Sequence, residues 1–148
     1  MHEALFFIGH RQPPEKLLRL LAEEIERHIS LYGVTEFVVG NHGGFDYMAA
    51  SAIMAAKKQH PQVTLFLLLP YHPAEHPINV LNGFDGTFYP PMENVPRRVA
   101  ISCANRYRID HSDYLIAYAW HPSGNARKFV DYAKKRKIHV SNLADFCI

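Results

Sequence analysis

The chain has 148 residues, with 16 Lys and Arg against 14 Asp and Glu, a formal charge of +2 and 48% apolar residues, the composition of one ordinary domain around one core. A charge this small and scattered argues against a sequence-independent grip on nucleic-acid backbone, which needs a concentrated basic face. No apolar run approaches the roughly 20 residues of a membrane-spanning helix, and Met1-His2-Glu3-Ala4-Leu5 lacks the basic segment and cleavage site of a signal peptide, so a cytoplasmic location without a membrane partner is expected.

Leu5-Phe6-Phe7-Ile8, apolar on both faces and stopped by Gly9, suits a central parallel strand covered by helices. After Pro13-Pro14, Leu17, Leu18, Leu21, Ile25 and Ile29 recur at three- and four-residue spacing with Glu and Arg on the other face, which predicts an amphipathic helix ending near Gly33. Residues 35–39 form the second strand, closed by Gly40. The next helix spans about 46–59 on a small-residue face of Ala49, Ala50, Ala52, Ile53 and Ala56. Residues 63–69 are the third strand. From 71 to 96 the periodicity fails among prolines and glycines, the mark of a long functional loop. A helix over 97–110, a strand over 113–119, a helix over 126–136 and a short strand over 138–140 complete the alternation. No repeat or linker is visible, so a single domain is expected: a three-layer, Rossmann-like α/β fold with a mainly parallel sheet of about five strands.

In such a sheet ligands sit beyond the carboxyl ends of the strands, where strand order reverses. Gly9, Gly40, Gly43, Gly44 and Gly124 all fall there. Asn41-His42-Gly43-Gly44-Phe45-Asp46 lets backbone approach a ligand and leads into a helix whose free N–H groups favour anions; a tight turn with Asp46 as N-cap explains the same residues equally well. Pro122-Ser123-Gly124-Asn125 opens a later helix in the same way. Gly9-His10-Arg11 adds an imidazole and a guanidinium able to grip an anion in bidentate fashion. Among the aromatic residues, Trp120 at a strand end is the candidate for stacking on a base, whereas Tyr107, Tyr114 and Tyr118 read as core.

Neither GxGxxG nor GxxxxGK[ST] occurs, which removes support for an orthodox nicotinamide enzyme or a P-loop NTPase. The ten histidines form no HExxH or HxH, and His72 and His76 have only Glu75 beside them, so no metal is expected. Cys103 and Cys147 offer no CxxC and read as packing residues, and the run Lys134-Lys135-Arg136-Lys137 as a solvated helix end.

Several segments together resemble one family. Phe6-Phe7-Ile8-Gly9-His10-Arg11 is similar to its "FTGHRP" opening, Gly43-Gly44-Phe45-Asp46-Tyr47-Met48-Ala49-Ala50 to its "GGALGFD-AA" segment, and the block from Asn105-Arg106-Tyr107 through Asp110-His111-Ser112-Asp113 to Tyr118 to its "RYMVDHSDYLIAY". The family is the YpsA/DUF1273-like branch of the SLOG superfamily, which groups DprA-like proteins with the LOG phosphoribohydrolases. The likeness runs from Leu5 to about Leu143 and implies a Rossmann-like sheet with a site for a nucleotide or nucleotide-derived ligand, such as ADP-ribose or NAD, at the strand ends. Gln12 stands where the family opening has proline. LOG hydrolases carry PGGxGTxxE, whose glutamate serves catalysis; here no carboxylate occurs between Gly124 and Asp131.

The leading expectation is therefore a binding or sensing domain for a nucleotide-like small molecule. Gly43, Gly44 and the following helix hold one phosphate, Ser123, Gly124 and Asn125 hold ribose or a second phosphate, and His10 with Arg11 close the site. No cofactor is required. A nucleotide-processing hydrolase is the alternative, needing Asp46, Asp85 or Glu93 to activate water. A third reading is an interaction module using residues 71–96, and a homo-oligomer is left open.

Overall fold

In the computed structural model, which describes residues 3–78 and 83–146, the apolar opening of the chain becomes the centre of a sheet because both its faces are covered. The elements run β1 (Glu3–Gly9), α1 (Leu17–Tyr32), β2 (Val34–Val39), α2 (Gly44–Lys57), β3 (Thr64–Leu68), β4 (Gly86–Phe88), α3 (Ala100–Asp110), β5 (Tyr114–Tyr118), α4 (Asn125–Lys135) and β6 (His139–Asn142), with short 3-10 turns at Arg97–Val99 and Leu143–Asp145. All strands are parallel, in the order β4-β3-β2-β1-β5-β6. Leu5 and Phe7 pack with Leu21, Ile25, Ala49 and Ile53 of α1 and α2. Phe6 and Ile8 pack on the opposite face with Ala104, Ile109, Ala126 and Val130 of α3 and α4. Successive strand residues thus feed the two helix layers alternately. The small residues of α2 are buried as their pattern predicts, and α1 stops at Gly33, whose φ of 70° lets its N–H donate back to the His28 carbonyl.

Among the described residues the sheet has six strands, where the sequence pattern predicts about five. The missed strand, β4, lies inside the proline-rich stretch 71–96, and three residues are too few to show a period of two. Its place is fixed by its neighbour: the Asp85 N–H donates to the Leu65 carbonyl at 2.8 Å and the Leu69 N–H to the Phe88 carbonyl at 2.8 Å. Cys103 is half-buried against the core of α3 and α4; Cys147 lies outside the described residues.

The long block ending at Tyr118 closes the sheet at its far end. Asp113 Oδ2 accepts from the Ala4 N–H at 3.0 Å while the Asp113 N–H donates to the Ala4 carbonyl at 2.8 Å, which sets β5 against β1. The buried Arg108 donates to the His111 carbonyl at 2.6 Å, and the Ser112 hydroxyl donates to the Arg108 carbonyl at 2.6 Å. At the carboxyl end a buried amide does equivalent work: Asn142 Oδ1 accepts from Ala119 N at 3.0 Å and Ala144 N at 3.2 Å, while Nδ2 donates to the Ala119 carbonyl at 3.2 Å.

Asn142→Ala leaves the buried Ala119 N–H without its acceptor, although the Ala119 carbonyl keeps Arg127. The expected loss is about 2 kcal/mol, seen in urea as a lower midpoint with an unchanged slope.

Candidate functional site

Strands β2, β3 and β4 extend from one side of β1 and strands β5 and β6 from the other, so the chain reverses its direction of travel across the sheet between β1 and β5. The loops that leave these two strands diverge and open a crevice at their carboxyl ends. The crevice has two compartments. An inner cavity of about 260 Å³ reaches Phe6, Ile8, Asp46, Ser102, Asn105 and Phe129. A shallow outer depression of about 510 Å³ runs over Gln12, Trp120, His121, Ser123 and Gly124. Both share His10, Arg11 and Asn125.

His10 clips the two loops together. Its N–H donates to the Tyr118 carbonyl at 3.2 Å, and its Nε2 accepts from the Trp120 N–H at 3.1 Å and more weakly from the His121 N–H at 3.5 Å. Two N–H groups aimed at one ring nitrogen require a lone pair there, which assigns the proton to Nδ1 and keeps the ring neutral. Burial, His121 and Arg127 all lower its pKa in the same sense. Arg11 is exposed, and its guanidinium has no ion pair among the described residues.

Gly40 and Gly43 line the inner cavity, and the Gly43-Gly44 pair also lets two protein backbones approach closely. The Gly44 N–H donates to the Arg11 carbonyl at 2.7 Å. A Cβ on Gly44 would lie 2.6 Å from that carbonyl oxygen, and one on Gly43 would lie 2.8 Å from the Arg11 Cα. The first free N–H of α2 is therefore spent on protein, and Gly44 is not on the wall of either compartment. Phe45 is not a ligand residue by position either: it is 1% exposed, and its ring fills the space that a side chain on Gly9 would need, 2.4 Å from that Cβ position. Asp46 is the third residue of α2 rather than its cap, and its Oδ2 reaches back to accept from the His42 N–H at 3.1 Å. Burial pushes the Asp46 carboxyl up to about 6, against the opposing pull of that hydrogen bond. Burial and the nearby Arg11 lower the pKa of His42.

After β5 the backbone turns into α4 through Gly124 at φ 104°, with no side chain capping the helix. Lys128 is the first residue whose N–H finds a helix acceptor, the Gly124 carbonyl at 3.1 Å, so the N–H groups of Asn125, Ala126 and Arg127 remain open to an anion. Ser123 is engaged with His121, to whose Nδ1 its N–H donates at 3.1 Å. Trp120, 58% exposed, stands at the mouth with its ring edge-on to His10.

Sequence reasoning missed the wall supplied by α3, namely Ile101, Ser102 and Asn105, and the brace formed by Arg127, which donates from Nη2 to the Ala119 carbonyl at 2.7 Å and from Nε to the His121 carbonyl at 3.3 Å. A signal was available for Asn105: the buried positions of α3 are 100, 104, 105, 108 and 109, and a carboxamide falls on that stripe. Of the three carboxylates considered for activating water, only Asp46 lines the crevice. Asp85 accepts from Lys57 Nζ at 2.6 Å and from the Leu65 N–H at 2.7 Å, and Glu93 lines a separate cavity with Tyr71, Tyr89 and Arg97. Among the described residues no group of three or more His, Cys, Asp or Glu converges as a metal site, and no helix is long and apolar enough to cross a membrane.

No protein-family model matches the chain, and no curated protein is similar to it. Solved structures are. The molybdenum cofactor binding protein of the phototrophic bacterium Rippkaea orientalis aligns at 19% identity and TM-score 0.62 over 95% of this chain and 75% of that one. DNA processing protein A from Helicobacter pylori, described for its single-stranded DNA binding mode, aligns at 18% identity and TM-score 0.65, and its 93% share of this chain spans 63% of that protein. The molybdenum cofactor carrier protein of Chlamydomonas reinhardtii aligns at 17% identity and TM-score 0.57 over 93% and 74% of the two chains. At these identities the likeness is one of fold: a three-layer α/β arrangement around a parallel sheet.

The raised pKa of Asp46 has a consequence for stability. Its folded value of about 6 lies above its ordinary 3.8, so the native state holds the proton more tightly; the resulting stabilisation is full below the ordinary value and is lost as pH rises through 6. From about pH 5 to about pH 7.5 wild type should lose about 1 kcal/mol more than Asp46→Asn. Urea denaturation of both proteins across that range measures the difference.

Proposed function

We propose that this chain is a cytoplasmic, single-domain member of the YpsA/DUF1273-like branch of the SLOG superfamily that binds or senses a nucleotide or nucleotide-derived molecule of the ADP-ribose or NAD type. The ligand lies across the carboxyl ends of β1, β2 and β5, with phosphate between Arg11 and the start of α4. The observation that carries this reading is the meeting of an unpaired guanidinium and the open N–H groups of residues 125–127 on one rim. Both favour an anion, and a planar guanidinium bonds phosphate in bidentate fashion. The exposed face of Trp120 beside that rim suits an aromatic or sugar ring.

A thermal-shift panel of adenosine, AMP, ADP, ADP-ribose, NAD and inorganic phosphate tests the reading, with a molybdenum cofactor preparation and a short single-stranded oligonucleotide added because the structural neighbours are described with those ligands. A ligand at about 100 times its Kd stabilises the fold by about 2.7 kcal/mol. Arg11→Ala should lose most of the stabilisation by phosphorylated ligands and none of that by the free nucleoside. Equal losses for both would remove Arg11 from phosphate binding, and a wild type indifferent to the whole panel would favour a ligand-free interaction module.

One observation favours hydrolysis as a second reading: a carboxyl group with a pKa of about 6 lines the cavity, and such a group is ionised at neutral pH yet basic enough to take a proton from water. Asp46→Asn keeps the acceptor for the His42 N–H and removes the base. For a sensor, single-turnover product formation from bound ADP-ribose stays unchanged; for a hydrolase it falls about 10²–10⁴-fold.

A further inference from the structure

The inner cavity contains a buried polar side chain that the fold does not use. Asn105 is 8% exposed and lines the cavity, yet its carboxamide, with two N–H groups to give and an oxygen that can accept twice, has no hydrogen-bond partner among the described residues. The contrast with Asn142 is informative, because that buried amide makes three hydrogen bonds. Asn105 is also firmly held: its neighbours Ala104 and Ile109 on α3 are each 1% exposed in the core beneath the sheet. Its carboxamide atoms are not fully enclosed, so they stay reachable, and the cavity that Asn105 lines is where a ligand can meet them.

The surroundings of this amide indicate which part of a ligand it meets. Phe6, Ile8, Ile101, Ala126 and Phe129 supply apolar wall, while Ser102, Asp46, His10, His42 and Asn125 supply further polar side chains, the two imidazoles with pKa values lowered by burial. Arg11 is the one arginine or lysine among the lining residues, and it also faces the outer depression. A carboxylate on the inner wall opposes phosphate there, and the cationic rim attracts it outward. What fits the interior is a flat, uncharged ring with apolar faces and a hydrogen-bonding edge.

We propose that Asn105 is the specificity-determining residue of this site, its carboxamide pairing with the donor–acceptor edge of a nucleobase in the inner cavity while the phosphate remains outside between Arg11 and the start of α4. The inference rests on the nucleotide reading above and adds to it the orientation of the ligand and the group that reads the base. A carboxamide can bond in bidentate fashion with any edge that places a donor beside an acceptor, as adenine does with its amino group and adjacent ring nitrogen. Ribose and phosphate alone offer the inner cavity no such edge.

Calorimetric titration of the full chain with AMP, GMP, CMP, UMP and ribose 5-phosphate tests this, using wild type, Asn105→Ala, Asn105→Asp and Arg11→Ala. Wild type should bind at least one mononucleotide about 10-fold or more tighter than ribose 5-phosphate, the contribution of a well-made bidentate pair. Asn105→Ala should erase that advantage while leaving ribose 5-phosphate affinity intact, and Arg11→Ala should weaken both ligands together. Asn105→Asp, equal in size, replaces the N–H donors with an acceptor; it should erase the advantage as well and decides the matter if the alanine variant melts early. The inference is overturned if wild type binds ribose 5-phosphate as tightly as every mononucleotide, or if both Asn105 variants retain the preference. Binding of none of the five probes by wild type overturns this inference, and if ADP-ribose and NAD also give no thermal shift the nucleotide reading falls with it.

Discussion

The hydrogen bond from the Gly44 N–H to the Arg11 carbonyl joins the loops that follow β1 and β2, and the shape of the crevice depends on it. At 2.7 Å it leaves no room for a side chain on either residue of the Gly43-Gly44 pair. Once the Arg11 backbone lies over the start of α2, three other placements follow. Phe45 turns inward onto Gly9, Asp46 faces the cavity from the first turn of α2, and His10 reaches across to the N–H groups at the end of β5. The glycines therefore act through close packing of two protein backbones, which then present the functional groups. A side chain there would separate the loops before it met any ligand.

Electrostatics divides the crevice along the same line. The inner compartment holds a half-buried carboxyl group whose pKa is raised by desolvation, an amide without partners, and the imidazoles of His10 and His42, whose pKa values burial lowers, so none of them strongly attracts an anion. At the rim stand the Arg11 guanidinium and the positive end of the α4 dipole. Arg127 is spent on the carbonyls of Ala119 and His121, so its role is to hold the β5 loop in place while its charge helps keep His10 neutral. A ligand with one charged end and one uncharged, hydrogen-bonding end matches this gradient; an ion charged along its whole length does not.

The fold was legible in the sequence wherever burial imposes a period. Leu5 to Ile8, the stripe of α1 and the small residues of α2 each announce their surroundings, because a two-sided strand and a helix against a sheet tolerate little else. Gly86–Phe88 did not, since an edge strand of three residues is specified by its neighbour β3 and not by its own composition. At the site, the clustering of His10, Arg11, Asp46 and Asn125 was readable because strand ends of a parallel sheet converge. The purposes of Gly44 and Phe45 were not, because a glycine freed for a ligand and a glycine pressed against a neighbouring loop look alike along the chain. Asn105 was hidden for a related reason: its meaning lies in the absence of a partner, and only the packed structure reveals which partners an amide has.

The block from Asn105 to Tyr118 shows how a long motif can combine two kinds of information. Asp113 ties β5 to β1, Ser112 and Arg108 bind the end of α3, and Asp110 accepts from the Tyr132 hydroxyl and pairs with Arg136 at 3.0 Å. All of these contacts lie away from the crevice and specify how the helix and strand are joined. Only at its first residue does the block reach the cavity wall. Resemblance over such a block therefore speaks chiefly for architecture, while the chemistry depends on a few positions around it. At the start of α4 this chain has no carboxylate between Gly124 and Asp131, and the guanidinium of Arg127 braces the preceding loop. A helix start that is open and positively polarised can hold an anion but cannot take a proton from water, so any hydrolytic chemistry in this crevice would fall to Asp46 on the opposite wall.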